Sequence, residues 1–129
     1  MQIDYTATRS IQAGHAADTA YTINIDLSAN KRSVKIDGSD NRSIDNSQVV
    51  VINYVDIKND LSTVLVSAST TTTILDMREF LDSVIAGEVF QTDLSGSLVD
   101  YKLDSIASPY SENELERSNF RYSFVVRTV

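Results

Sequence analysis

Few residue types in this chain could carry out chemistry. There is one histidine, His15, in the small-residue stretch Ala13-Gly14-His15-Ala16-Ala17, and there is no cysteine. Without a thiol there is no cysteine nucleophile, disulfide scaffold, thiolate zinc site or iron–sulfur cluster. One imidazole cannot make a histidine metal cluster. A Ser–His–Asp arrangement has its residue types but no nucleophile elbow of the form G-x-S-x-G, because Leu94-Ser95-Gly96-Ser97 lacks the first glycine. His15 therefore reads as an ordinary loop histidine. Thirteen Asp and five Glu offer so many carboxylate pairs that no single pair points to glycoside hydrolysis, and no tryptophan supplies a sugar platform. Asp37-Gly38-Ser39-Asp40-Asn41 and Asp45-Asn46 lack the D-x-[DN]-x-[DN]-G order and the closing glutamate of a calcium loop. They read as solvated turns in which Asp and Asn bond their own backbone. No glycine motif cradles a phosphate. No catalytic, cofactor-binding or metal-ligating residue is assigned, no cofactor is expected, and the chain is not expected to be an enzyme.

The elements that would hold any site are mostly strands. The 129 residues suit one domain spanning 1–129, large enough to bury a core without disulfides or metals. Seventeen Ser and eleven Thr, weak in helix interiors, lean towards turns and strands. The 42% apolar content and six tyrosines argue against disorder. No apolar run approaches a membrane span, and the opening Met1-Gln2-Ile3-Asp4-Tyr5 lacks the order of a signal peptide, so no membrane anchor is expected.

Tyr21, Ile23, Ile25 and Leu27 alternate with Thr22, Asn24 and Asp26, which predicts a strand with one buried face. Phe120, Tyr122, Phe124 and Val126 repeat the pattern, with Arg121, Ser123 and Arg127 outward. Val49–Ile57 is apolar on both faces and predicts a central strand covered on both sides. A turn at Lys58-Asn59-Asp60 would lead to a further strand over Leu61–Ala68. Shorter candidates lie at Ile3–Ile11, Ser33–Ile36, Val89–Thr92 and Val99–Ile106. One segment has the helical period: Ile74, Met77, Phe80, Leu81, Val84 and Ile85 form a stripe. Thr73 with Asp76 makes a capping-box pattern, and Gly87 supplies a left-handed stop, predicting one helix at about 74–86. The fold class is therefore mainly β with one α-helix, a β-sandwich or curved barrel-like sheet flanked by that helix. Residues 31–48 form a long polar stretch, expected to be a projecting hairpin or arm, with Val34 and Ile36 as a weak strand signal, that orders only against a neighbour.

Charge is unevenly spread. The net charge is −7, which argues against wrapping nucleic acid. Asp76 to Glu116 holds ten acids against Arg78 and Lys102, whereas Arg117 to Val129 has a balance of +3 and the arm +1. Such a chain can associate head-to-side with its own copies.

The order of features, with the helix Leu75-Asp76-Met77-Arg78-Glu79-Phe80-Leu81-Asp82-Ser83-Val84, then Ala86-Gly87-Glu88-x-Phe90, Tyr101-x-Leu103, Pro109-Tyr110-Ser111 and Phe120-x-Tyr122-x-Phe124-x-Val126, resembles the small minor tail and distal tail proteins of long-tailed bacteriophages. The likeness covers about residues 72–129, with strand content alone matching before that. It implies the tail-tube-like fold and a structural virion protein of the phage tail. Such proteins form homo-oligomeric rings, with hexamers favoured, that join the tail tube to the tip or baseplate. It also implies assembly in the host cytoplasm, tail tube and tip proteins as neighbours, and an acidic lumen through which DNA passes without specific binding. The alternative expectation is a small monomeric β-sandwich module that binds carbohydrate or a receptor.

Overall fold

The computed structural model describes residues 1–8, 17–42, 48–104 and 108–129, and of 36–42 and 48–56 the course of the backbone alone. The described elements run β1 (Gln2–Ala7), β2 (Thr19–Asn24), β3 (Leu27–Arg42), β4 (Gln48–Thr63), α1 (Ile74–Ser83), β5 (Phe90–Thr92), β6 (Val99–Leu103), β7 (Tyr110–Glu116) and β8 (Asn119–Thr128). All the strands join one antiparallel sheet in the order β2-β1-β5-β6-β8-β4-β3, with β7 branching from β8. The C-terminal strand is the spine. One edge of β8 pairs with β4 through Ser123–Arg127. Its other edge pairs with β7 through Asn119–Phe124 and with β6 through Val126–Thr128.

The period-two pattern decides which face is buried. Ile3, Tyr5, Phe90, Tyr101, Leu103, Leu61, Tyr122, Phe124 and Val126 lie in register on one side of the sheet and are buried there. The helix lies against this side through Met77, Phe80, Leu81 and Val84, the stripe its spacing predicts. Phe80 is at the centre of the contact. Its ring meets Tyr5 of β1 at 5.3 Å, Phe90 of β5 at 5.1 Å and Phe124 of β8 at 6.1 Å between centroids, each edge-to-face. Two strands separate β1 from β8, a span of roughly 14 Å in a flat sheet. Both nevertheless reach one ring, so the sheet curls around the helix.

The start of the helix follows its sequence pattern. The Thr73 side chain accepts from the Asp76 N–H at 3.2 Å, while the Asp76 carboxylate accepts from the Thr73 N–H at 3.0 Å. The end comes earlier than the expected residue 86. Val84 is the C-terminal cap, its N–H shared between the carbonyls of Phe80 and Leu81, and a turn leads to Gly87 at φ +88°. Beyond Ser83 the chain must turn back to start β5, and the positive-φ glycine permits it.

Further expectations are corrected. Val49–Ile57 is not a central strand: it pairs with β3, forming the second arm of a ribbon whose first arm is the polar stretch 31–42. Only Lys58–Ser62 of β4 also pairs with β8. The arm from 31 to 48 is thus strand on both sides of residues 43–47, which lie outside the described residues. Lys58-Asn59-Asp60 is not a turn either. These residues sit mid-sheet, opposite Ser33, Arg32 and Lys31 on one side and Arg127, Val126 and Val125 on the other. Strand β4 ends at Thr63, and Val66 makes only a single bridge to Phe120. The final correction is β7, which the sequence pattern missed. The ends of the expected strands at 9–11 and 105–106 lie outside the described residues.

Truncation of the central ring tests this packing. Phe80→Ala should cost about 3–5 kcal/mol, the range for large-to-small changes at a fully buried aromatic position. Urea unfolding monitored by tyrosine fluorescence would measure it, and a loss under about 1 kcal/mol would place Phe80 outside the core.

Candidate functional site

The helix presents a second, polar side to the β7–β8 hairpin. Arg78 reaches from the helix to Glu112 on β7 in a two-pronged pair, with Nε to Oε2 at 2.8 Å and Nη2 to Oε1 at 2.6 Å. The buried Tyr122 hydroxyl donates to the same Oε2 at 2.7 Å. The Arg78 guanidinium also lies 6.0 Å from the Phe120 ring centroid. One helical turn on, Asp82 accepts from the Tyr110 hydroxyl at 2.7 Å. Glu112 and Tyr122 are cross-strand partners, as are Tyr110 and Phe124, so the register alone brings these groups to the helix face. Arg78, and after it Tyr122, holds the Glu112 carboxyl below its ordinary pKa. Burial, and then the carboxylate it bonds, pushes each of Tyr122 and Tyr110 upward. This clamp fixes β7 to the body of the protein and leaves its outer edge unpaired among the described residues.

The face of the sheet opposite the helix is polar. Lys102, Arg127 and Lys58 stand side by side on β6, β8 and β4. Asp104 neutralises part of this row, at 3.2 Å from Lys58 and 3.5 Å from Arg127. Next to it the Ser62 and Ser123 hydroxyls are 3.1 Å apart. At the far margin Asp4 accepts from Thr22, and Asp100 accepts from Gln91.

The acids of 76–116 thus do not form one surface. Asp76 caps the helix, Asp93 accepts the Gln2 N–H, Glu88 accepts the Ala86 N–H, and Glu112 and Asp104 hold cations. Glu79 is buried, and its charge, after burial itself, pushes the Tyr5 hydroxyl upward. Glu114 and Glu116, on β7, are exposed.

A cleft of about 530 Å³ is lined by Asn24, Ile25, Asp26, Val64, Leu65 and residues 69–72. Among the described residues, its polar side-chain groups are hydroxyls, one amide and the Asp26 carboxylate. His15 and Asp45-Asn46 lie outside the described residues, and of Asp37–Asn41 only the backbone is described, within β3. Among the described residues, no three potential ligands gather as a metal site. Among the described residues, the geometry offers a clamped hairpin, a long ribbon and open sheet edges at β2, β3 and β7.

The clamp has a pH signature. Because folding lowers the Glu112 pKa, its stabilisation is complete above the ordinary carboxylate range near ~4.3 and is lost as pH falls through the folded value. Glu112→Gln should cost about 1–2 kcal/mol at neutral pH, a range reduced for the partial exposure of Arg78. Thermal melts at descending pH should show wild type and variant converging in acid. A gap that stays constant down to pH ~2 would remove Arg78–Glu112 as its source.

No protein-family model matches this chain, and no curated protein matches it. Among solved structures, a chain from the tail of an empty gene transfer agent particle, refined helically with C6 symmetry, is similar over 98% of this chain and 89% of its own length. The sequence identity is 14% and the TM-score 0.53. The chain shares the mainly β, one-helix fold of a component of that phage-like tail.

Proposed function

We propose that the protein is a structural component of a phage or phage-like tail, forming a homo-oligomeric ring near the distal end that joins tail tube to tip. The supporting observation is the fold, alike over nearly the whole length to a chain from a C6-symmetric tail. The surfaces agree with it. Among the described residues the sheet ends in unpaired edges on both flanks, and edges left open on a monomer are templates for pairing. The β3–β4 ribbon, 16 residues in each strand, pairs with the rest of the sheet only through Lys58–Ser62 and so extends away from it. Such a ribbon has the length to reach a neighbouring subunit or ring. The chain acts as one domain, without catalysis or a cofactor, and belongs to the virion after assembly in the host cytoplasm.

DNA would pass through the ring. A lumen that repels phosphate needs surplus acid, and the −7 net charge provides it at the level of the whole chain. Native mass spectrometry of the purified chain, alone and with the tail proteins encoded beside it, should give closed oligomers, six copies being favoured. Persistent monomer in both conditions would overturn the ring and leave the monomeric binding module. The protein should also fail to shift duplex DNA at low salt, where electrostatic binding is strongest. A clear shift there would contradict the proposed charge of the passage.

A further inference from the structure

We propose that the acidic outer edge of β7 in one copy pairs with the basic outer edge of β3 in the next, so that the curved sheet continues from subunit to subunit. This inference rests on the ring reading above and specifies its contact.

Three edges are open among the described residues: β3 on one flank, and β2 and β7 on the other. Strand direction separates the last two. Every ladder in the sheet is antiparallel. Counted across the sheet, β3 runs with β8, β7 runs against it, and β2 runs with it. A neighbour whose sheet continues in the same orientation therefore brings its β3 antiparallel to β7 but parallel to β2. Antiparallel pairing is the more stable per residue and matches every existing ladder.

Charge makes the same choice. Strand β7 carries Glu112, Glu114 and Glu116 with no base, and β3 carries Lys31, Arg32 and Lys35 within its first nine residues. Strand β2, Thr19–Asn24, has no charged side chain. Lys31, Arg32 and Lys35 are exposed, as are Glu114 and Glu116, while Glu112 stays in its clamp. Each edge also exposes one apolar residue, Leu115 at 52% and Val34 at 47%. Opposite charges on the two edges suit pairing between copies, and the like charges along each edge disfavour β3–β3 and β7–β7 contacts. The contact is head-to-tail, so it closes into a ring where the rotation between successive copies is a whole fraction of a turn.

Because the chain has no cysteine, introduced thiols report the contact cleanly. Ser33 and Asn113 both lie on the face opposite the helix. The double variant Ser33→Cys/Asn113→Cys, treated with a short bismaleimide, should give a ladder of covalent oligomers. Ser33→Cys/Thr22→Cys, which reports the rival β2 edge, should remain monomeric on a denaturing gel. Glu114→Lys/Glu116→Lys and Lys31→Glu/Arg32→Glu/Lys35→Glu should each weaken assembly about tenfold or more, and one chain carrying all five changes should recover it. A ladder from the β2 pair instead, or native oligomers that neither pair cross-links, would overturn the β7–β3 contact and leave the ring intact. Absence of oligomers from the wild-type chain, alone and with its tail partners, would remove the ring reading and this contact together.

Discussion

The packing of Phe80 into the concave side of the sheet is the constraint on which the rest depends. One aromatic ring touches residues from β1, β5 and β8. These strands cannot reach it from a flat sheet, so the curl follows from filling the core around one helix. Among the described residues three edges are free, one on the β3 side and two on the other. A helix shifted by one turn would leave Phe80 off the aromatic site and also move Arg78 and Asp82, on the next face, away from Glu112 and Tyr110. Apolar packing and the polar clamp are thus two faces of one helix placement.

What the sequence made legible was local periodicity. The helix start was readable because Thr73 and Asp76 act within one turn. The inward set of β8 was readable because alternation over Phe120–Val126 is nearly uninterrupted. Assignments that needed long-range pairing failed. Val49–Ile57 has the composition of a buried central strand, but composition does not say which strand lies alongside, and its partner is the polar segment just before it. Lys58-Asn59-Asp60 looks like a turn, yet cross-strand partners on both sides hold it in the sheet. In β7, polar residues dominate and strand propensity is weak. Its place comes from pairing with β8 and from Arg78 on the helix, contacts spanning 34 residues in the latter case.

The same gap separates net charge from surface charge. Ten acids between Asp76 and Glu116 read in sequence as one strongly negative surface. In the fold their work is mostly internal: capping, accepting backbone N–H groups, balancing cations or, for Glu79, lying within the core. A carboxylate held at short range by a guanidinium or ammonium contributes little field at a distance, because its partner cancels most of it, whereas one held by an N–H keeps its full charge. The pairing of Glu112 and Asp104 with cations therefore reduces the long-range charge of this region, and Asp100, Glu114 and Glu116 are its exposed acids.

That redistribution changes how the acidity of the chain bears on assembly. An evenly negative protein would repel its own copies, and a high net charge would oppose a ring. Exposed acid at Glu114 and Glu116 on the β7 margin and exposed base at Lys31, Arg32 and Lys35 on the β3 margin oppose this repulsion locally. The repulsion of −7 per copy acts over the whole surface and is screened by salt. Attraction between two opposed edges acts at hydrogen-bond distance and is screened far less. Assembly of such a chain should accordingly depend on ionic strength in two ways. Moderate salt relieves the general repulsion first, and high salt then erodes the edge contact, so association passes through a maximum instead of falling steadily from low salt.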